Sequence, residues 1–344
     1  MERIIVLGGK GGVGKSSISA ATAVKLSQLL PNKKILIISF DMAHNLSDLF
    51  LKNIGNKLTQ LNDNLWGIEP DPNIYAEEYT RNLLEKMKTL MKQMPLIGLI
   101  PQIENFIDTT FTADSIPLAL KNAMFFQKIL DAEDIAQEIQ FDIIIADFPP
   151  TGNMIALFEI PEDQVKVVLK YSLNFFNSIK KTLKNVSNMF NNILNPLSVN
   201  KNQKELGDEV IKMIREVEQR GEKVTQLIHE IGSLRLVTIA EKPSFEEIKR
   251  AKQLTKKYIS LNGIHINMLT PQKYAKKCNF CDNHRSLQLK YTEEIKKEFQ
   301  DLMIWESQKL VKEPIGLDNL TILANEIYGE KIKAEEILYP KLHF

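Results

Sequence analysis

The stretch Gly8-Gly9-Lys10-Gly11-Gly12-Val13-Gly14-Lys15-Ser16-Ser17 constrains the fold of this 344-residue chain more than any other. It follows Arg3-Ile4-Ile5-Val6-Leu7, a β-branched run suited to a buried strand. It leads into Ile18-Ser19-Ala20-Ala21-Thr22-Ala23-Val24-Lys25-Leu26, where apolar residues recur at helical spacing. Strand, glycine-rich turn and helix in that order, with Gly9 to Ser16 fitting G-x-x-x-x-G-K-S/T, predict a phosphate-binding loop. Gly11, Gly12 and Gly14 let the backbone N–H groups up to Val13 and Ser17 turn inward around phosphate oxygens, and the helix N-terminus adds a favourable dipole. Lys15 is expected to reach the β- and γ-phosphates of ATP, and the Ser16 hydroxyl to ligate Mg²⁺.

The rest of the chain supplies the sheet that such a loop needs. Lys33–Phe40 reads as a second buried strand ending at Asp41, and Trp66–Ile68 as a short third one halted by Pro70 and Pro72. Gln140–Asp147 is the strongest strand, an apolar run ending in an acid, and Asp147 there is expected to hold Mg²⁺ through a coordinated water. Leu234–Ala240 and Gly263–Leu269 complete the set. Strands alternating with helices predict an α/β fold, a doubly wound, mostly parallel P-loop sheet. Two helical stretches interrupt it. In the first, Leu83, Met87, Leu90, Met91 and Met94 fall at three- and four-residue steps. The second follows Val165, and from there to Lys204 it holds seven lysines and no arginine or acid. The expected organisation is therefore an ATPase domain over 1–74, 136–165 and 221–344, with a helical subdomain inserted over 75–135 and 166–220.

Composition narrows the function classes. A net charge of +1 gives no global argument for nucleic acid or an anionic surface. No apolar run approaches about 18 residues, so no spanning helix is expected. The N-terminus enters a strand directly, which leaves no room for a signal peptide, and a cytoplasmic location is expected. The only cysteines, Cys278 and Cys281, are too few for a disulfide framework and are spaced as a ligand pair.

Lys10 narrows the reading further. G-K-G-G-V-G-K-S resembles the deviant Walker A loop of partition ATPases, nitrogenase reductase, arsenite-pump ATPases and the targeting ATPases for tail-anchored membrane proteins. That resemblance implies that Lys10 crosses a dimer interface to act on the partner's nucleotide. Asp41-Met42-Ala43-His44-Asn45-Leu46-Ser47-Asp48-Leu49-Phe50 is similar to the D-P-A-H-N-L-S-D-A-F switch I of the arsenite-pump and tail-anchored-protein families. The similarity implies that Asp41 orients or deprotonates the attacking water. Phe40 and Met42 stand where those families have threonine and proline. Asp147-Phe148-Pro149-Pro150-Thr151-Gly152-Asn153 resembles their switch II, D-T-A-P-T-G-H, which implies that the Gly152 N–H meets the γ-phosphate. Phe148, Pro149 and Asn153 depart from it. By the same resemblance Asn267 reads the adenine base, and the loop Lys312–Leu320, with Pro314, lies on its other side. Cys278 and Cys281, with Gln288 and Tyr291 following, are placed as in the targeting ATPases, which implies a Zn²⁺ shared between two subunits.

Three functions compete on this evidence. The first is a homodimeric ATPase that shields the hydrophobic segment of tail-anchored proteins and delivers them to a membrane receptor, without nucleic acid. The second is an oxyanion-pump ATPase, although arsenite prefers several thiolates and this chain has one pair. The third is a scaffold for iron–sulfur clusters, whose switch sequences lack the D-x-A-H-x-L-S-D run.

Overall fold

The computed structural model describes residues 1–41, 45–71, 139–152, 226–275 and 278–341, together with residues 81, 85, 89, 154, 158, 212 and 219. The chain divides into two compact units: Met1–Asp71, Ala132–Phe158 and Gln226–Phe344 form one, and Pro72–Asp131 with Glu159–Thr225 form the other. The second unit lies almost wholly outside the described residues. So do the helical surface expected of Met87, Leu90 and Met91 and the lysine-rich stretch after Val165.

The first unit is built on an eight-stranded sheet of order β3-β4-β2-β5-β1-β6-β7-β8. Its strands are β1 (Arg3–Gly9), β2 (Ile35–Ser39), β3 (Thr59–Gln60), β4 (Leu65–Ile68), β5 (Ile143–Asp147), β6 (Gly232–Ile239), β7 (Leu261–Leu269) and β8 (Met303–Gln308). Every pairing is parallel except β3 with β4. The doubly wound α/β expectation holds. β2 and β5 are buried along their whole length, and β1 after its first residue, as strands covered on both faces must be. Parallel pairing aligns the strand ends: Leu7 and Ser39 both lie opposite Asp147, so the carboxyl edges of the three central strands meet at one point. Doubly wound sheets bind ligands at that edge.

The helices are α1 (Lys15–Leu29), α2 (Asn45–Phe50), α3 (Lys242–Thr255), α4 (Gln272–Ala275), α5 (Asn279–Glu298), α6 (Gly316–Tyr328) and α7 (Ala334–Leu338). Ser19, Ala20, Ala21, Thr22 and Ala23 of α1 are all fully buried, and their small size lets that helix pack closely on the sheet and on α6. No helix among the described residues is long and apolar enough to cross a membrane.

The sequence hides one feature of the core. Arg235 in β6 is fully buried; its guanidinium lies 5.0 Å from the Trp305 ring and donates to the Ile337 carbonyl and, at 3.5 Å, to the Tyr328 hydroxyl. Tyr328 in turn hydrogen-bonds Thr22 of α1 at 2.7 Å. His265 stacks on Trp305 at 4.7 Å, with both ring nitrogens unpartnered among the described residues. Burial, and then the neighbouring Arg235 charge, push His265 well below the usual histidine range.

Candidate functional site

Gly14 caps α1 in the left-handed region, with φ 87°, and no side chain caps the helix. The first-turn N–H groups of α1 therefore point into the loop unsatisfied by any side-chain cap, and no acid stands in that turn to compete for them. A Cβ at Gly14 would stand 2.4 Å from Asn267 Nδ2, so glycine is required by space as well as by φ. Gly9 at the end of β1 is equally constrained, since a Cβ there would stand 2.2 Å from the Val237 carbonyl oxygen. The loop is thus pressed against β6 and β7 while Lys10, Gly11 and Gly12 stay exposed. Val13 is buried and Ser17 partly so. Lys15 is 4% exposed, its ammonium folded back to 3.5 Å from the Lys10 carbonyl.

Asp147 is the charge centre of this edge. It is fully buried and accepts hydrogen bonds from Ser19 (3.3 Å), Ser39 (3.2 Å) and Ser16. Burial raises its pKa to about 6, against the lowering effects of Ser16, Lys15 and Ser39, while Asp41 adds to the rise. The structure therefore brings Lys15, Ser16, Asp41 and Asp147 together. A carboxylate ringed by hydroxyls is a hard oxygen donor set, which suits Mg²⁺, and Lys15 suits a phosphate. Ser39 was not singled out from sequence. Its hydroxyl donates to Asp147 and accepts from the Asp41 N–H at 3.2 Å, so it joins the two acids. Met42 and His44 lie outside the described residues, and Asn45 enters only as the first residue of α2.

Two of the departures in the switch sequences meet in space. The Phe40 and Phe148 rings pack edge to face, with centroids 5.2 Å apart and planes at 79°. Phe148 also packs on Phe158 at 5.4 Å, and Phe158 stacks on Tyr258 at 6.1 Å. The two phenylalanines, one following β2 and one following β5, thus form a single packed contact. Pro150 lies against the phosphate loop: a Cβ on Gly11 would stand 3.8 Å from its Cγ. Thr151 is buried with its hydroxyl unpartnered among the described residues, and Gly152 beside it is exposed with open space where a Cβ would go. Asn153 lies outside the described residues.

Asn267 at the end of β7 donates to the Val13 carbonyl at 3.0 Å and accepts from Ser307 of β8 at 2.8 Å. Its amide bolts the phosphate loop to the sheet. Pro314 sits partly buried in the turn before α6. Farther along, Gln288 is buried and clamps the turn after β7, accepting from the Thr270 N–H at 2.8 Å and donating to the Met268 carbonyl at 3.2 Å. Cys278 is the N-cap of α5 and is exposed, and Cys281 is one turn on. The Cys278 thiol is lowered by the Cys281 N–H, by the Cys281 thiol and by the Phe280 N–H, while the contact with Cys278 raises Cys281. Cys278 is thus the more readily ionised of the two. His284 faces Thr270, with Nδ1 3.0 Å from its hydroxyl. No group of three or more potential ligands forms among the described residues. The pair fits half of a tetrahedral Zn²⁺ site, and a full site needs two more ligands from elsewhere.

A family model described as anion-transporting ATPase matches residues 2–329. ATPase GET3 of Debaryomyces hansenii is 27% identical over 92% of this chain and 87% of its own length. ATPase get3 of Aspergillus niger is 27% identical over 97% of this chain and 92% of its own length. A provisionally named arsenical pump-driving ATPase of Chlorobaculum tepidum is 28% identical over 95% of this chain and 76% of its own length.

Proposed function

We propose that this chain, which belongs to the anion-transporting ATPase family, is a homodimeric ATPase that captures the hydrophobic segment of tail-anchored proteins and delivers it to a membrane receptor. The observation that carries the nucleotide half is the convergence of Lys15, Ser16, Asp41 and Asp147 at the carboxyl edge of β1, β2 and β5. In this reading the loop is a deviant Walker A loop. The N–H groups from Gly11 to Ser17 cradle the phosphates, and Lys15 neutralises charge on the transferring phosphoryl. Ser16 and Asp147 would hold Mg²⁺, Asp147 through a water, and the ion would supply neutralisation of charge on the phosphates. Asp41 orients the attacking water, held by Ser39 against Asp147, and the Gly152 N–H meets the γ-phosphate. Asn267 and the turn at Pro314 flank the base; one Asn267 amide hydrogen is already committed to Val13, which leaves the other for the ligand. The exposed Lys10 acts on the nucleotide of a partner subunit.

The client half rests on the switch I run and on the Cys278–Cys281 pair, which supplies two of the four thiolates of a zinc site shared by two subunits. The helical stretches over 75–135 and 166–220 would form the client surface. An oxyanion pump is the second reading, favoured by the relatives named for arsenical pump driving. The two cysteines of the chain, on one turn of α5, offer too few soft ligands for it. The experiment is capture of a purified protein bearing a C-terminal apolar segment of about 20 residues, with and without MgATP, against the same protein lacking that segment. ATP-dependent capture of the tailed form is expected. Hydrolysis stimulated by arsenite or antimonite, with no capture, would replace this reading by the pump.

A further inference from the structure

We propose that Glu69 is a positioning residue for ATP hydrolysis, fixing the far end of the segment that Asp41 begins. The proposal rests on the reading of Asp41 as the acid that orients water. Glu69 follows β4 directly and is 2% exposed. Its carboxylate spans the first turn of α2: Oε1 accepts from the Leu46 N–H at 2.8 Å and Oε2 from the Ser47 N–H at 3.0 Å. The Ser47 hydroxyl stands 2.9 Å from both Glu69 Oε2 and the Ile54 carbonyl, and it accepts from the Ile54 N–H at 3.1 Å. Among the described residues those two N–H groups and the Ser47 hydroxyl are the polar partners of the buried Glu69 carboxyl group. The Glu69 N–H is itself anchored on the Gly55 carbonyl at 3.0 Å.

The near end of the same segment is fixed too. Ser39 holds the Asp41 N–H, and the Phe40 N–H donates to the Asp147 carbonyl at 2.9 Å. Asp41 and the Leu46–Ser47 turn are thus each held, the first at the ends of β2 and β5 and the second at the end of β4. A carboxylate suits the second clamp because it offers an acceptor to each of two neighbouring N–H groups. An amide would turn an NH₂ toward one of them, release that end of α2 and let Asp41 drift from the water it must orient. The role is distinct from binding: among the described residues the hydrogen bonds of Glu69 go to Leu46, Ser47 and Gly55, not to the phosphate loop, so affinity for ATP need not change when it is altered.

The test is single-turnover hydrolysis of pre-bound MgATP by Glu69→Gln and Glu69→Asp, with ATP affinity measured alongside. A loss of fold lowers the amplitude of the turnover, whereas a misplaced water lowers its rate constant. Glu69→Gln is expected to lower the rate constant about 10- to 100-fold, the range of a displacement near 1 Å, with affinity for ATP unchanged. Glu69→Asp, too short to reach both N–H groups at once, is expected to fall between Gln and the parent. The parent rate constant in either folded variant would overturn the proposal. Asp41→Asn, run in parallel, separates the two layers. If it is slow while Glu69→Gln is not, the Glu69 assignment alone falls; if it hydrolyses at the parent rate, the switch reading beneath it falls as well.

Discussion

The Phe40–Phe148 contact sets a measurable energy. Phe148 is fully buried and Phe40 is 4% exposed, and their rings meet edge to face at 5.2 Å and 79°. Such a pair contributes about 0.5–1.5 kcal/mol beyond the area it buries. The perturbation is a double-mutant cycle of Phe40→Leu and Phe148→Leu, which keeps an apolar side chain at each site and removes the ring pair. Each single change is expected to cost about 1–2 kcal/mol. The double mutant should lose less than their sum, by about 0.5–1.5 kcal/mol, because the second change has no ring contact left to break. Urea unfolding followed by tryptophan fluorescence is a suitable assay. The chain has two tryptophans, Trp66 in β4 and Trp305 in β8, so the signal reports the sheet unit. With a slope of about 2.5 kcal/mol/M, a coupling of about 1 kcal/mol moves the midpoint by about 0.4 M. Losses that add to within about 0.3 kcal/mol would show that the rings are independent and that the contact contributes no coupling.

Ser39→Ala removes a hydrogen bond that favours the Asp147 carboxylate, so the acid limb of kcat/KM for MgATP, expected near the Asp147 value of about 6, should move to higher pH; an unmoved limb would separate Ser39 from Asp147. His265 is held well below its ordinary pKa, so the folded state binds fewer protons than the unfolded state below about pH 6.5, and this residue takes stability away as pH falls through that value. His265→Phe keeps the stack on Trp305 and deletes two unpartnered nitrogens. It should raise the urea midpoint and flatten that acid loss, and an equal acid loss in the variant would count against the assignment. Metal analysis of the purified protein should find about one zinc per two chains, with loss of the dimer in Cys278→Ser or Cys281→Ser; one zinc per chain would exclude the shared site.

Much of this was legible in the sequence because the informative residues are contiguous. The order of β1, the glycine loop and α1 is a local pattern, and so are the apolar runs of β2 and β5 that end near acids. β3 and β8 gave no such signal. β3 is two residues long, and β8, Met-Ile-Trp-Glu-Ser-Gln, alternates buried and exposed positions only in its second half. Glu69 could have been found by the rule that picked out Asp41 and Asp147, an acid following a parallel strand at its carboxyl end. Pro70 and Pro72 directly after it mark a turn instead. Ser39 and the contact between Phe40 and Phe148 were out of reach, because each depends on the register that sets β2 beside β5. Arg235 was hidden for a similar reason: its acceptors, Tyr328 and the Ile337 carbonyl, lie far along the chain.

The central claim is that the loop from Gly8 to Ser17, facing Asp147, is where ATP is held and cleaved. Steady-state phosphate release by Lys15→Ala tests it most directly, since this change removes the loop cation proposed to meet the phosphates without touching either acid. The expected result is a fall in kcat/KM of about 100-fold or more, the scale set by losing one group that stabilises the transferring charge. Phosphate release at the parent rate by the folded Lys15→Ala protein would contradict it.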